Sequence, residues 1–387
     1  MHKSKKVHFR RTLSSFRLET IKNALDHAPK FATTFRILDD QIQQCFEHRY
    51  QFSLQERAIF SPVAATVQAT ALQVMKNSLN TLLNAPTCAQ LRTIRRNINE
   101  ECEDKLRHNE RHMQQWISYQ RHFPQKIDAK LVRNVLRANK HVLDRTKRKL
   151  EQQLAARHIY PEFFQNRSPF SQEIERAMSV VNIAYMPSMT QNGERIAVFS
   201  LNRFEAAQFN SVHVIKLVLM IFDLVLSSEH IYAGDIAIFD GAHFSAAHVA
   251  QYLGPHFNTI MTILKEAYSI RLKEIHVINA PSLLVHMLAI IKPLLHPSLR
   301  RSIHIHENPS QILEIFGAQN LPSNYGGQLR TLRKMATDWY DAVSRHADWF
   351  QAQESVQISA VPQKTRSQLH SPDQMGLEGS FRQLNID

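Results

Sequence analysis

The chain reads as an α/β protein in which an N-terminal helical module precedes a mainly parallel sheet with covering helices. Three observations predict this. From residue 194 onward, short β-rich runs alternate with long apolar helical runs, the order that crossover-connected parallel strands require. Before that point the apolar residues recur only at helical spacing, as in Leu131, Val132, Val135 and Leu136, then Leu150 and Leu154. Finally, Gly193, Gly234 and Gly241 stand at strand borders, where turns belong.

Residues 1–85 are polar, with helical stretches predicted at 37–50 and 63–83 and breaks at Pro29, Pro62 and Pro86. A long polar helix is predicted over 87–122, ended by Pro124 because proline disfavours helical backbone in the residue before it. Asp128 is placed to cap a helix over 129–138, and Asp144 to cap the next. There follow a strand at 195–201, a helix at 211–228, a strand at 235–240 and a helix at 246–267. A strand at 274–279, a helix at 282–295 and a strand at 302–306 complete the alternation. A last helix over about 332–352 carries Trp339 and Trp349 and leads into a polar tail.

Length and composition bound the function. The 387 residues suffice for one to three domains, and 43% hydrophobic with 21% charged is an ordinary globular balance. Cys45, Cys88 and Cys102 have no metal-ligand spacing and leave one thiol over in any disulfide scheme, which favours a reducing compartment. The basic start, with no acid before Glu19, is compatible with a transit peptide and lacks the apolar core of a secretory signal. The longest apolar run, 212–226, is interrupted by Lys216 and Asp223 and is too short to cross a bilayer. Residues 1–170 hold 30 Lys+Arg against 15 Asp+Glu, and the remainder 17 against 19, so the +13 net charge sits in the first part. Such a field attracts polyanions, nucleic acid or anionic lipid alike.

One ordered set of residues is more specific. Ala267-Tyr268 is followed by Arg271 and Lys273, then by Ile275-His276-Val277-Ile278-Asn279 with Pro281, and by Lys292-Pro293-Leu294-Leu295. Ile303-His304-Ile305-His306 and Leu321-Pro322 before Tyr325-Gly326-Gly327 close the series. Upstream, Leu131, Arg133, Leu136, Arg137 and Ala138 precede a basic helix and a Pro161-Glu162-Phe163-Phe164 exit; the tail carries Gly376-Leu377-Glu378-Gly379-Ser380-Phe381-Arg382. From about Asn109 to its end the chain resembles the CRAL-TRIO lipid-binding family, in the class of its tocopherol-transfer, retinaldehyde-binding and clavesin members. It departs from some of them at Asn139, where an arginine stands, at Ser269, often a proline, and at Ser298 and Ser302, where basic residues stand. The resemblance implies a CRAL-TRIO-type sheet with an apolar ligand cavity. It divides the chain into an extension 1–108, a helical module 109–168, a lipid-binding domain 169–330 and a C-terminal helix and tail 331–387.

Apolar stripes at helical spacing are the ordinary sign of core packing. The resemblance implies instead that Leu217, Ile221, Val225, Phe239, Ile260, Ile263, Leu264, Tyr268, Leu272 and Ile275 line a lipid pocket. The 282–295 helix has only His286 and Lys292 as polar members of its LLVHMLAIIKPLL run, so it must be buried or meet another apolar phase. In the family the corresponding helix gates the cavity, which makes Leu283, Leu284, Met287, Leu288 and Ile291 gate residues. Arg271, Lys273, Lys292, Arg300 and Arg301 read by themselves as solvated charges. The resemblance makes them candidates for phosphoinositide binding on an anionic membrane.

Other chemistries find little support. His304-x-His306 would put two rings on one strand face, but no third ligand appears at metal spacing, so no metal and no cofactor are expected. The chain has no Gly-x-Ser-x-Gly elbow, phosphate-binding glycine loop or Cys-x-x-Cys, and no enzyme activity is expected. The basic run 133–149 lacks interleaved aromatics and any zinc or helix-turn-helix signature, which disfavours nucleic acid. The expectation is a cytoplasmic, peripheral, monomeric protein that carries an apolar lipid such as a tocopherol, retinoid or phospholipid between phosphoinositide-containing membranes, endosomal ones included. The alternative is a phosphoinositide-sensing membrane adaptor without cargo transfer.

Overall fold

The computed structural model describes residues 79, 81–203, 208–228 and 231–369. The predicted helix 37–50, most of 63–83, Cys45 and the tail motif 376–382 lie outside the described residues.

The expected 87–122 helix is two helices, α1 (Cys88–Asn97) and α2 (Glu103–Ser118). Thr87 and Gln90 form a reciprocal capping box at the start of α1, and the chain turns at Asn99, whose φ is 59°. Helix α3 (Ala129–Ala138) starts as predicted, with Asp128 accepting from the Lys130 amide at 2.8 Å. Helix α4 (Leu143–Ile159) starts one residue before Asp144, so that carboxylate lies in the first turn, beside the positive end of the helix dipole, and is not the cap. A short α5 (Pro161–Phe164) and α6 (Gln172–Val180) lead into the sheet.

The five-stranded sheet has the order β1 (Val181–Met189), β2 (Glu194–Leu201), β3 (Gly234–Asp240), β4 (Leu272–Ile278) and β5 (Ile303–Ile305). β1 and β2 are antiparallel; the remaining pairs are parallel. Alternation did not reveal β1, which contains Pro187. A proline cannot donate to a ladder, and it is accommodated here because β1 is an edge strand whose register breaks between Tyr185 and Met189.

Between strands lie α7 (Ser211–Ser227), α8 (Ala246–Tyr252) with α9 (Phe257–Thr262), and α10 (Ser282–Ile291). The single helix predicted over 246–267 is interrupted at Gly254-Pro255, as proline's missing N–H demands. Beyond α9 it continues as one π-helical turn, Ile263–Ala267, whose free carbonyls at Lys265 and Glu266 accept from Lys149 Nζ at 2.7 and 2.8 Å. Past α10 a 3₁₀ turn (Lys292–Leu294) and α11 (Pro297–Arg301) return the chain to β5. Helices α12 (Gln311–Phe316), α13 (Leu332–Arg345), α14 (Ala347–Glu354) and α15 (Gln363–Leu369) complete the described chain; the predicted 332–352 helix is broken at His346.

Helix α7 is apolar all round because it lies between two cores. One side joins Leu217, Ile221 and Val225 to Ile236 and Ile238 of the sheet and to Tyr185 and Trp339. The other joins Ile215, Leu219 and Leu226 to the helical module through Leu150, Leu154, Phe163 and Phe164. Each such side chain, fully buried, stabilises the fold by about 1.5–3 kcal/mol. The described residues between 79 and 108 are also part of this body. Leu79 and Leu83 enter the central core, and Ile94 and Ile98 pack on Met189 and Ala233. Among the described residues no helix is long and apolar enough to cross a membrane.

Candidate functional site

The helix α10 covers the sheet face opposite Ile236 and Ile238. Pro281 presets its entry, its carbonyl accepting from the amides of Leu284 and Val285 at 2.9 and 3.2 Å. Leu284 and Met287, 5% and 7% exposed, pack on Ala237, Ile275 and Val277, with half-buried Phe199, Phe244, Tyr252, Leu253, Leu288 and Ile291 around them. The opposite side is apolar and open to solvent: Leu283 is 36% exposed, Val285 38%, Ile290 55% and, just beyond the helix, Leu294 41%. The gate set is thus split, with Leu284 and Met287 pointing in, Leu288 and Ile291 at the border and Leu283 pointing out.

Both ends of this helix are tied. At its entry Asn279, with φ 49°, donates to Asp240 Oδ1 at 2.9 Å, and Tyr325 Oη donates to Asp240 Oδ2 at 2.8 Å. Gly241 packs closely there, since a Cβ would stand 2.7 Å from Leu284 Cδ2 and 3.0 Å from the Asn279 carbonyl oxygen and so displace the Leu284 side chain. At the exit Arg300 Nη2 donates to the Pro293 carbonyl at 2.9 Å.

The ten residues expected to line one pocket do not share one wall. Leu217, Ile221 and Val225 belong to the central core, whereas Ile260, Ile263, Tyr268 and the half-buried Leu264 belong to the core of the helical module. Leu272 and Ile275 lie under α10, and Phe239, 39% exposed, stacks on Phe199 at 4.9 Å. Periodicity could not choose a face on a helix buried on every side. Tyr268 serves the core in another way, since its hydroxyl donates to Asp223 at 2.9 Å and its ring stacks on Phe164 at 6.2 Å. Asp223 also takes Arg167 Nη1 at 2.7 Å and lies 3.7 Å from Arg157 Nη2, all three buried. Sequence reasoning missed the wall residues Phe199, Phe244 and Tyr252; Phe244 stands just before α8 and Tyr252 ends it, and their rings stack at 5.8 Å.

The basic candidates form two groups. At the start of β4, Lys273 Nζ is 2.7 Å from Glu194 Oε1, and Arg271 is half-buried beside Asp235. Burial lowers the Arg271 pKa, with Asp235 opposing; burial also raises Asp235 to about 7 against the pull of Tyr185, Arg195 and Arg271. Lys140, which nothing in the sequence singled out, belongs with them. Its pKa is lowered by burial and then by the charges of Arg271 and Lys273. A small open pocket next to them is lined by Asn134, Arg137, Tyr232, Ser269 and Arg271. Nearby Glu100 anchors this end of the module: burial would raise its pKa, but hydrogen bonds from His141 and Arg137 hold it at about 2. The second group is the half-buried Lys292 with the exposed Arg300 and Arg301, at the exit of α10. Since the Ile275 amide donates to the Ser302 carbonyl at 2.9 Å, Arg301 leads directly to the strand end that carries Lys273. A further small pocket, lined by Arg157, Asp223 and Trp349, lies elsewhere, and neither pocket has a lining residue from α10.

Residues 180–327 match the family model described as CRAL/TRIO domain, and residues 102–174 match the model described as Pinta-like, UBA domain. The chain is 25% identical to Alpha-tocopherol transfer protein-like of Mus musculus over 202 residues, covering 52% of this chain and 58% of that protein. With its Homo sapiens counterpart it shares 25% over 218 residues, 56% and 62% of the two chains. Clavesin-1 of Xenopus laevis is 21% identical over 206 residues, 53% and 62% of the two. The matches span about three fifths of the length of these relatives. The crystal structure of Sfh5 aligns with a TM-score of 0.42 at 14% identity, over 60% of this chain and 91% of that one.

Proposed function

Because this chain is a CRAL-TRIO family member with its CRAL/TRIO domain at residues 180–327, we propose that it binds an apolar lipid under α10 and exchanges it at membranes. One observation carries the reading: α10 is almost wholly apolar, yet buries only Leu284 and Met287 and leaves Leu283, Val285 and Ile290, with Leu294 just beyond it, in water. A helix of that composition on a surface is suited to lie against a second apolar phase. In this proposal Phe239, Leu272 and Ile275 form the cavity floor, and α10 is the gate that lifts to admit cargo. Arg271, Lys273, Lys292, Arg300 and Arg301, together with Lys140, hold the protein on anionic or phosphoinositide-containing lipid. A ligand burying ~400 Å² of apolar surface gains about 10 kcal/mol before entropic costs, so release into water is slow and release into a bilayer is not. The work is that of a carrier and not of a catalyst. Its place in a cell is at the surface of phosphoinositide-bearing membranes, endosomes included.

A second reading is favoured by the way the expected pocket residues divide among three packed clusters: a lipid-surface adaptor that senses phosphoinositides and carries no cargo. Native mass spectrometry of the purified full chain, with organic extraction of whatever it retains, separates the two. A stoichiometric apolar lipid supports the carrier; an empty protein that still binds phosphoinositide vesicles supports the adaptor and ends the transfer proposal.

A further inference from the structure

Four chemistry-bearing side chains converge on the sheet face turned away from α10. Glu274 and His276 are two residues apart on β4, as are His304 and His306 along the β5 edge, and a period of two puts each pair on one face. The parallel register then sets His276 opposite His304. His276 is 2% exposed and held on both ring nitrogens, with Nε2 3.0 Å from Glu274 Oε2 and Nδ1 2.9 Å from His306 Nε2. The His304 ring stacks on it at 4.9 Å, and Phe316 of α12 packs edge-on at 4.9 Å. One ligand atom from each of Glu274, His276 and His304 lies within 4.8 Å of the other two.

We propose that Glu274, His276 and His304 form a binding site for a zinc-class divalent cation. Two imidazole nitrogens and one carboxylate oxygen are the donor set that such a cation takes, with bonds of about 2.0–2.2 Å. Tetrahedral geometry then separates ligand atoms by roughly 3.4 Å. The Glu274–His276 pair is close to that separation already, and the exposed His304 side chain closes the remainder by a rotamer change. His306 supplies the outer support. With His276 Nε2 on the metal, its Nδ1–H donates to His306 Nε2, which fixes the tautomer and the ring plane. The fourth position opens to solvent beside His304 and takes water. Spacing alone hid this site because its ligands come from two strands well separated in the chain, brought alongside only by the parallel pairing. The cation would fasten β5, a three-residue edge strand, to β4.

The test is titration of zinc alone into metal-free full-length protein against a colorimetric chelator, for wild type, His304→Gln, the Glu274→Gln/His304→Gln double variant and, as a control, His286→Gln on α10. Because the chain has 21 histidines, the informative quantity is a difference. Wild type and H286Q should bind one more equivalent than the double variant, and H304Q should weaken that class at least about tenfold, since loss of even an outer-shell partner costs about 10–100-fold. Equal zinc uptake by wild type and a folded double variant overturns the site. Should the double variant not fold, an unchanged zinc affinity in H304Q, whose side chain is exposed, overturns it equally.

Discussion

Replacing Leu283 and Ile290 with Asp tests the membrane face of α10 while leaving Leu284 and Met287 in place. Leu283 and Ile290 are 36% and 55% exposed, so neither aspartate is fully buried, and the covered part of the two side chains sets the stability loss at about 2 kcal/mol. Transfer of a whole Leu or Ile side chain from water is worth about 2 kcal/mol. Leu283, Val285, Ile290 and Leu294 each keep roughly a third to a half of that in reserve, about 3 kcal/mol for the face and about a hundredfold in partitioning. The double variant forfeits half of this and adds two charges that resist leaving water, so binding to neutral or mildly anionic vesicles should fall at least tenfold. Flotation of the protein with liposomes, alongside far-UV circular dichroism and a thermal melt, reads both quantities. Undiminished flotation of a folded variant would refute the assignment of this face. Leu284 and Met287 are unsuitable for the same purpose, because an aspartate there would sit unpaired against Ala237, Ile275 and Val277.

The other expectations concern charge, pH and the N-terminal boundary. Lys140→Glu with Arg301→Glu should weaken binding to anionic vesicles at least about thirtyfold at low salt, at about 1 kcal/mol per cation lost, and the effect should vanish at high salt; equal low-salt binding would dismiss the basic surface. Asp235 has a folded pKa of about 7 against 3.8 for the free group, so between those values only the unfolded chain is ionised. The stability it permits at acid pH is therefore lost as pH rises through about 7, by about 4 kcal/mol, and Asp235→Asn should flatten that slope in urea midpoints measured from pH 4 to 8. A slope identical to wild type would show that this carboxyl ionises freely. Leu83, fully buried in the central core, lies outside both family-matched segments. Leu83→Ala should still cost about 2–5 kcal/mol, and a chain beginning at Thr87 should lose at least as much, whereas unchanged melting of either would place residues 79–86 outside the core.

Much of the fold could be read because the signals were local. Asp128 announced α3 through its own side chain, and the strands near 195, 235, 274 and 303 were bounded by turn residues. What escaped depended on partners distant in the chain. β1 hid its alternation behind Pro187, which only an edge position tolerates. The helix 246–267 looked continuous until Gly254-Pro255 was weighed against its apolar flanks. Around α10, composition identified the helix but not its orientation, and burial alone separates Leu284 from Leu283. The expected pocket residues divide between clusters for a related reason, since α7 is buried on both sides and its Lys216 and Asp223 are too few to tell its two cores apart in the sequence.

The buried Asp223 has consequences for how this chain comes apart. Arg157 from α4 and Arg167 from the link to α6 converge on it, Tyr268 meets it from the π turn, and the carbonyls of Gln353 and Val356 accept from Arg157. Two guanidinium groups share this one carboxylate in a dry interior, so removing Asp223 leaves both cations unpaired there at a cost of about 3–5 kcal/mol, whereas removing either arginine leaves a neutral pair. The cluster thereby ties the helical module, α7 and the C-terminal helices together, and loss of Asp223 should be felt in all three at once.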